Sequence, residues 1–134
     1  MTLLSADAIF AADDMVYEDV PVPEWGGEVR VSVMTGAERD ELEHRVLAEG
    51  KTDDDGNIRD QRGFRELCLS LACRDANNER IFSDEDVVRL SRKNSDVIDR
   101  LWAVCRRLNK LGKQEQDALK KNSAAPPSGG SGTT

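Results

Sequence analysis

Glu28-Val29-Arg30-Val31-Ser32-Val33-Met34-Thr35-Gly36-Ala37-Glu38 changes its period partway along. Val29, Val31 and Val33 alternate with Arg30 and Ser32, the period-2 mark of a strand with one buried face. At Thr35 the alternation stops. Thr35 and Glu38 have the spacing of a capping box, in which the hydroxyl caps the first turn and the carboxylate reaches back. A strand therefore runs directly into a helix, and the chain reads as an α+β protein.

Working towards the N-terminus, Val16, Val20 and Val22 stand at even spacing in a second short run. Between the two runs lies Glu24-Trp25-Gly26-Gly27, whose glycines supply the positive φ of a tight turn. A β-hairpin follows, with Pro21 and Pro23 marking an edge strand, since proline cannot donate to a central ladder. Ser5 to Asp14 read as a short helical or irregular lead-in. Met1 to Phe10 lacks the basic segment and long apolar run of a signal peptide.

Towards the C-terminus, the helix opened by Thr35 extends to about Ala48. Leu42 and Val46 form one stripe, with Ala37 and Leu47 nearby. Glu49 to Asn57 is acidic and reads as a loop. A second helix is predicted from about Arg59 to Arg74, because Phe64, Leu67, Cys68, Leu71 and Ala72 fall at helical spacing. Asp75 to Arg80 is a polar turn, and Ile81-Phe82 a short apolar clip. Ser83-Asp84-Glu85-Asp86 opens a short third helix carrying Val87, Val88 and Leu90. Asn94 or Ser95 caps a fourth, whose stripe is Val97, Ile98, Leu101, Trp102, Cys105 and Leu108. Arg106, Arg107 and Lys110 favour the last turns of that helix, and Gly112 suits its C-terminal cap. Gln114 to Lys121 adds a short fifth helix. The expected fold is an N-terminal β-hairpin or small antiparallel sheet packed against a bundle of four to five α-helices. Residues 1–15 form the lead-in and residues 16–121 a single domain. Residues 122–134 form a Pro/Gly/Ser-rich tail with nothing to bury, expected to be disordered.

The chain has 134 residues, of which 34% are charged and 38% hydrophobic. A chain of this size buries enough surface for a core without metals or disulfides. Its net charge of −7 opposes contact with phosphate backbones and anionic lipid headgroups, so neither nucleic acid nor membrane is expected as a partner. No run approaches the roughly 20 apolar residues of a membrane span. Cys68, Cys73 and Cys105 are odd in number and lie in apolar stretches. They read as reduced thiols packed as small hydrophobes, which fits the cytoplasm.

The candidate chemistry is thin. Gly50-Lys51-Thr52 ends like a phosphate-binding loop, but position 45, where the first glycine belongs, is Arg45. Asp53, Asp55 and Asn57 mimic a calcium loop, but Ile58 and Phe64 occupy the positions that need glycine and glutamate. His44 is a lone histidine among Glu41, Glu43 and Arg45, on a surface face. Cys68 and Cys73 lack Cys-x-x-Cys spacing. No catalytic residue, metal ligand or cofactor site is assigned, and the reading is a protein-binding protein, not an enzyme. Trp25 is open between two placements, folded onto the core or exposed as a binding anchor.

Val20-Pro21-Val22-Pro23-Glu24-Trp25-Gly26-Gly27-Glu28-Val29-Arg30-Val31, followed by Met34-Thr35-Gly36-Ala37-Glu38-Arg39-Asp40, resembles the tail assembly chaperones of long-tailed, siphovirus-type bacteriophages and prophages. Leu69 to Cys73, Asn78 to Val87 and Leu108 to Gly112 continue the likeness, which spans about residues 5 to 122. It implies an assembly factor in the host cytoplasm, absent from the finished virion. Such a factor binds the helical tape measure protein and recruits tail tube protein subunits. Many such genes also give a longer product by ribosomal frameshifting, itself a partner. Lys120-Lys121-Asn122 is compatible with a slippery run there. Trp25, Val87 and Leu90 are the candidate partner contacts. The competing reading is a structural or connector protein retained in the virion.

Overall fold

The computed structural model describes residues 1–48, 54–55 and 62–111. Its elements are α1 (Ala6–Ala11), β1 (Tyr17–Val22), a 3-10 turn (Pro23–Trp25), β2 (Gly27–Ser32), α2 (Gly36–Ala48), α3 (Phe64–Ala72), β3 (Cys73–Arg74), α4 (Asp86–Leu90) and α5 (Ser95–Asn109). The α+β class stands. The predicted fifth helix at 114–121, the Gly112 cap and the 122–134 tail lie outside the described residues, as does most of the 49–57 loop.

β1 and β2 pair antiparallel, with Val20 opposite Val29 and Val22 opposite Gly27. Val20, Val22 and Val31 point into the core, while Asp19 and Arg30 meet on the other face at 2.8 Å. Val16 corrects the predicted pattern: it is exposed. Its carbonyl still accepts from the Val33 N–H at 2.9 Å. Backbone pairs in an antiparallel ladder alternate. With Val16 bonded inward, Glu18, Val20 and Val22 turn their backbone groups to β2, and Tyr17, Asp19 and Pro21 turn theirs outward. Pro21 thus sits where its missing N–H removes an outward donor, which blunts an open sheet edge.

The sheet has a third strand where the sequence predicted helix. α3 begins at Phe64, not near Arg59, because Gly63 holds φ 79° at its N-cap. It ends at Ala72. Cys73 turns extended (ψ 134°), its N–H bonded back to the Leu69 carbonyl. β3 then pairs with β2, Cys73 against Val31 and Arg74 against Arg30. The sheet order is β1-β2-β3.

The core lies between this sheet, α3 and α5. Leu69, Leu71, Val97, Ile98, Leu101 and Cys105 are essentially closed to solvent. Phe64 meets Trp102 edge-on, ring centres 5.6 Å apart. Asn94 caps α5 by accepting from the Asp96 N–H. Asn109 joins three elements. Its Oδ1 accepts from the Met34 N–H at 2.7 Å, and its Nδ2 donates to the Ser32 and Cys105 carbonyls at 3.1 and 3.0 Å. Its own carbonyl accepts from Arg39 at 3.1 Å. No helix among the described residues is long and apolar enough to cross a membrane.

Candidate functional site

Three surfaces carry the candidate contacts: the hairpin tip, α4 and the N-terminal arm of residues 1–15. At the tip, the 3-10 turn presents Trp25, and Gly26 closes it with φ 83°. Arg100 of α5 clamps the turn with a forked pair of bonds to Glu24, 3.0 and 2.8 Å. Such bidentate pairs fix geometry as well as charge. The Arg100 hydrogen bonds hold the Glu24 carboxyl down, at about 2. The same guanidinium reaches the outward carbonyl of Pro21 at 3.5 Å. Trp25 is half-buried and packs against the core. Lys93 Nζ lies 5.5 Å from its ring centre, within cation–π reach. The two placements left open for Trp25 thus meet midway: one part is core, the rest is surface.

Just before α4, Ser83 donates both its N–H and its hydroxyl to the Asp86 carboxylate, at 2.9 and 3.2 Å. The Ser83 N–H is the main cause of the lowered Asp86 pKa. Asp84 ties this segment to Arg80 at 3.3 Å and to Arg45 at 3.4 Å; the Arg45 contact is an ion pair without hydrogen-bond alignment. Leu90 is a correction. Only 5% exposed, it belongs to the core and has no surface to offer a partner. Val87 is half-buried against the core. The outward apolar residue of α4 is Val88, 60% exposed, which the sequence reading did not select. A five-residue helix has too few positions to reveal which face turns inward.

The arm is where large apolar side chains meet solvent. Ser5 caps α1 by accepting from the Ala8 N–H at 3.2 Å, and Asp13 accepts from the Met15 N–H at 3.1 Å. No residue of α1 is buried. Leu3 and Phe10 are 96% and 84% exposed, and Leu4 and Ile9 are exposed as well. Sequence reasoning passed over the arm because its hydrophobic residues do not form a long stripe.

The remaining candidates do not converge. His44 is exposed on α2. Cys68, Cys73 and Cys105 are buried free thiols. Burial pushes Cys73 and Cys105 up to about 12 and raises Cys68 strongly too. They stay protonated at neutral pH, whereas a reactive cysteine is a thiolate. No group of three metal-ligating side chains is placed to hold an ion among the described residues. Asp55 lies in a short turn; Gly50-Lys51-Thr52, Asp53 and Asn57 lie outside the described residues, as do Lys120, Lys121 and Asn122.

No family model matches the chain, and no curated protein matches it. Among solved structures, it is similar to the bacteriophage HK97 tail assembly chaperone, with a TM-score of 0.48 and 15% identity over 80% of this chain and 92% of that one.

Proposed function

We propose that this chain is a phage tail assembly chaperone, which binds the tape measure protein and helps recruit tail tube subunits in the host cytoplasm. The observation that carries this reading is where the family-like phrases fall. Val20 to Val31 build the hairpin and its tip. Met34 to Asp40 build the joint from β2 into α2, where Thr35 and Glu38 bond reciprocally at 2.9 and 3.2 Å. The resemblance therefore rests on residues with structural work to do together. The chemistry is compatible. Large apolar side chains stand exposed on an acidic chain, and a chaperone needs an apolar contact surface together with charge that keeps the complex soluble. The longer frameshifted product, with Lys120-Lys121-Asn122 as its slip point, belongs to the same proposal.

Co-expression with the tape measure protein tests it. The tape measure protein is expected to move from aggregates to the soluble fraction and to co-purify with this chain. Unchanged solubility overturns the reading. Finding the chain in purified virions by mass spectrometry favours the structural-protein alternative.

A further inference from the structure

The arm of residues 1–15 has no core of its own to cover. Ala6, Ile9 and Phe10 stand at i, i+3 and i+4, the spacing of one helix face. No residue on that face is buried in the fold. An amphipathic helix presenting such a face is a recurring docking element. The charged side chains of the arm have a single sign. Asp7, Asp13 and Asp14 sit in the arm, and no lysine or arginine precedes Arg30. An apolar face on an arm whose charged side chains are all carboxylates favours a partner whose own apolar stripe carries cations. A second copy of this chain is disfavoured on the same ground, since each copy carries −7 and like copies repel.

We propose that the N-terminal arm is the docking element for a basic amphipathic helix of a partner protein, with Ile9 and Phe10 as its apolar anchors. This deepens the chaperone reading and rests on it only for the identity of the partner. Leu3 and Leu4 extend the apolar contact towards the N-terminus, and Asp7, Asp13 and Asp14 set its register by meeting lysines or arginines of the incoming helix.

The test uses the full chain and two synthetic amphipathic helices of one pattern, Leu/Lys and Leu/Glu, followed by titration calorimetry. The chain is expected to bind the Leu/Lys helix and not the Leu/Glu helix. An Ile9→Ala, Phe10→Ala double variant keeps every charge, and it is expected to bind the Leu/Lys helix about tenfold or more weakly, the scale of losing anchor residues. Its circular dichroism and urea midpoint should match those of the parent, because neither side chain is part of the core. Equal affinity of parent and variant overturns the proposal, since charge alone then explains binding. Concentration-dependent self-association of the parent, abolished in the variant, also overturns it and assigns the arm to a second copy. In co-expression the two readings separate. If the parent and the double variant both rescue the tape measure protein, the arm proposal fails and the chaperone reading stands. If the parent gives no rescue while the peptide results hold, the chaperone reading fails and the arm proposal stands.

Discussion

Helices α2 and α3 are neighbours built on opposite principles. In α3 every residue but Arg65 is buried, and the helix is held by what surrounds it. In α2, thirteen residues long, only Leu42 and Val46 are buried. It is held at its start by the Thr35–Glu38 box, by the Glu38–Arg74 ion pair and by the Arg39 bond to the Asn109 carbonyl. Burial is non-directional and scales with area, so it makes α3 costly to damage wherever it is cut. Polar joints are directional and few, so the stability of α2 is concentrated in a few atoms.

The largest effect should therefore come from α3. Leu71→Ala removes a fully buried side chain and is expected to cost about 3–4 kcal/mol, within the range for core leucine truncations. The same change at Leu42, whose helix can settle towards the gap, should cost about 2 kcal/mol. Urea unfolding of both variants measures the difference. Equal costs would break the contrast between the two helices.

The polar joint of α2 comes next. Glu38→Ala removes one half of the pair with Arg74, whose side chain is 5% exposed, and half of the capping box. A loss of about 2 kcal/mol is expected from stranding a buried charge that keeps some solvent access on the Glu38 side. The joint is also pH-sensitive. Burial works to raise the Glu38 pKa. The Arg74 hydrogen bond, the Thr35 N–H and the Arg74 charge outweigh it, so the net shift is downward from 4.5. A lowered carboxyl pKa favours the fold above the unfolded value, and that contribution is lost as pH falls through the folded value. Stability plotted from pH 6 to about pH 2 should fall less for Glu38→Gln than for the parent. Parallel curves would show that Glu38 does not drive the acid sensitivity.

The same contrast explains what could be read from the amino acids. The α5 stripe and the core face of α3 were legible because helical spacing repeats over several turns. The Thr35–Glu38 box was legible because two polar residue types at fixed spacing have one common use. β3 was not legible. Leu71, Ala72 and Cys73 continue an apolar run with no proline or glycine to stop it, and the chain leaves the helix because Val31 of β2 offers a partner. That decision is tertiary. Asn109 was hidden for a similar reason: nothing local shows that its amide will bond to Ser32 and Met34, more than seventy residues away. At the candidate site, Trp25 was legible as special but not as half-buried, Leu90, offered as a partner contact, is buried, and the exposed residues of the arm had no pattern long enough to attract notice.

The smallest expected effect is a gain, and it lies at the end of α5. There the C-cap residue is Lys110, which adopts φ 56° and ψ 50°. The Lys110 and Leu111 N–H groups both turn back to the Arg106 carbonyl, and Leu111 is buried just beyond. A side chain in this left-handed conformation costs roughly 1–2 kcal/mol, which glycine avoids. Two terms oppose the gain: glycine has more freedom to lose on folding, and a cation near the helix C-terminus is given up. Lys110→Gly should still stabilise the protein by about 0.5 kcal/mol, a rise of about 1–2 °C in Tm. Lys110→Ala, which loses the charge and keeps the strain, should lower Tm slightly. The order Gly above Lys above Ala identifies backbone strain as the cause. If Ala equals or exceeds Gly, residue 110 does not hold the left-handed turn, and the path of the chain into Leu111 must be different.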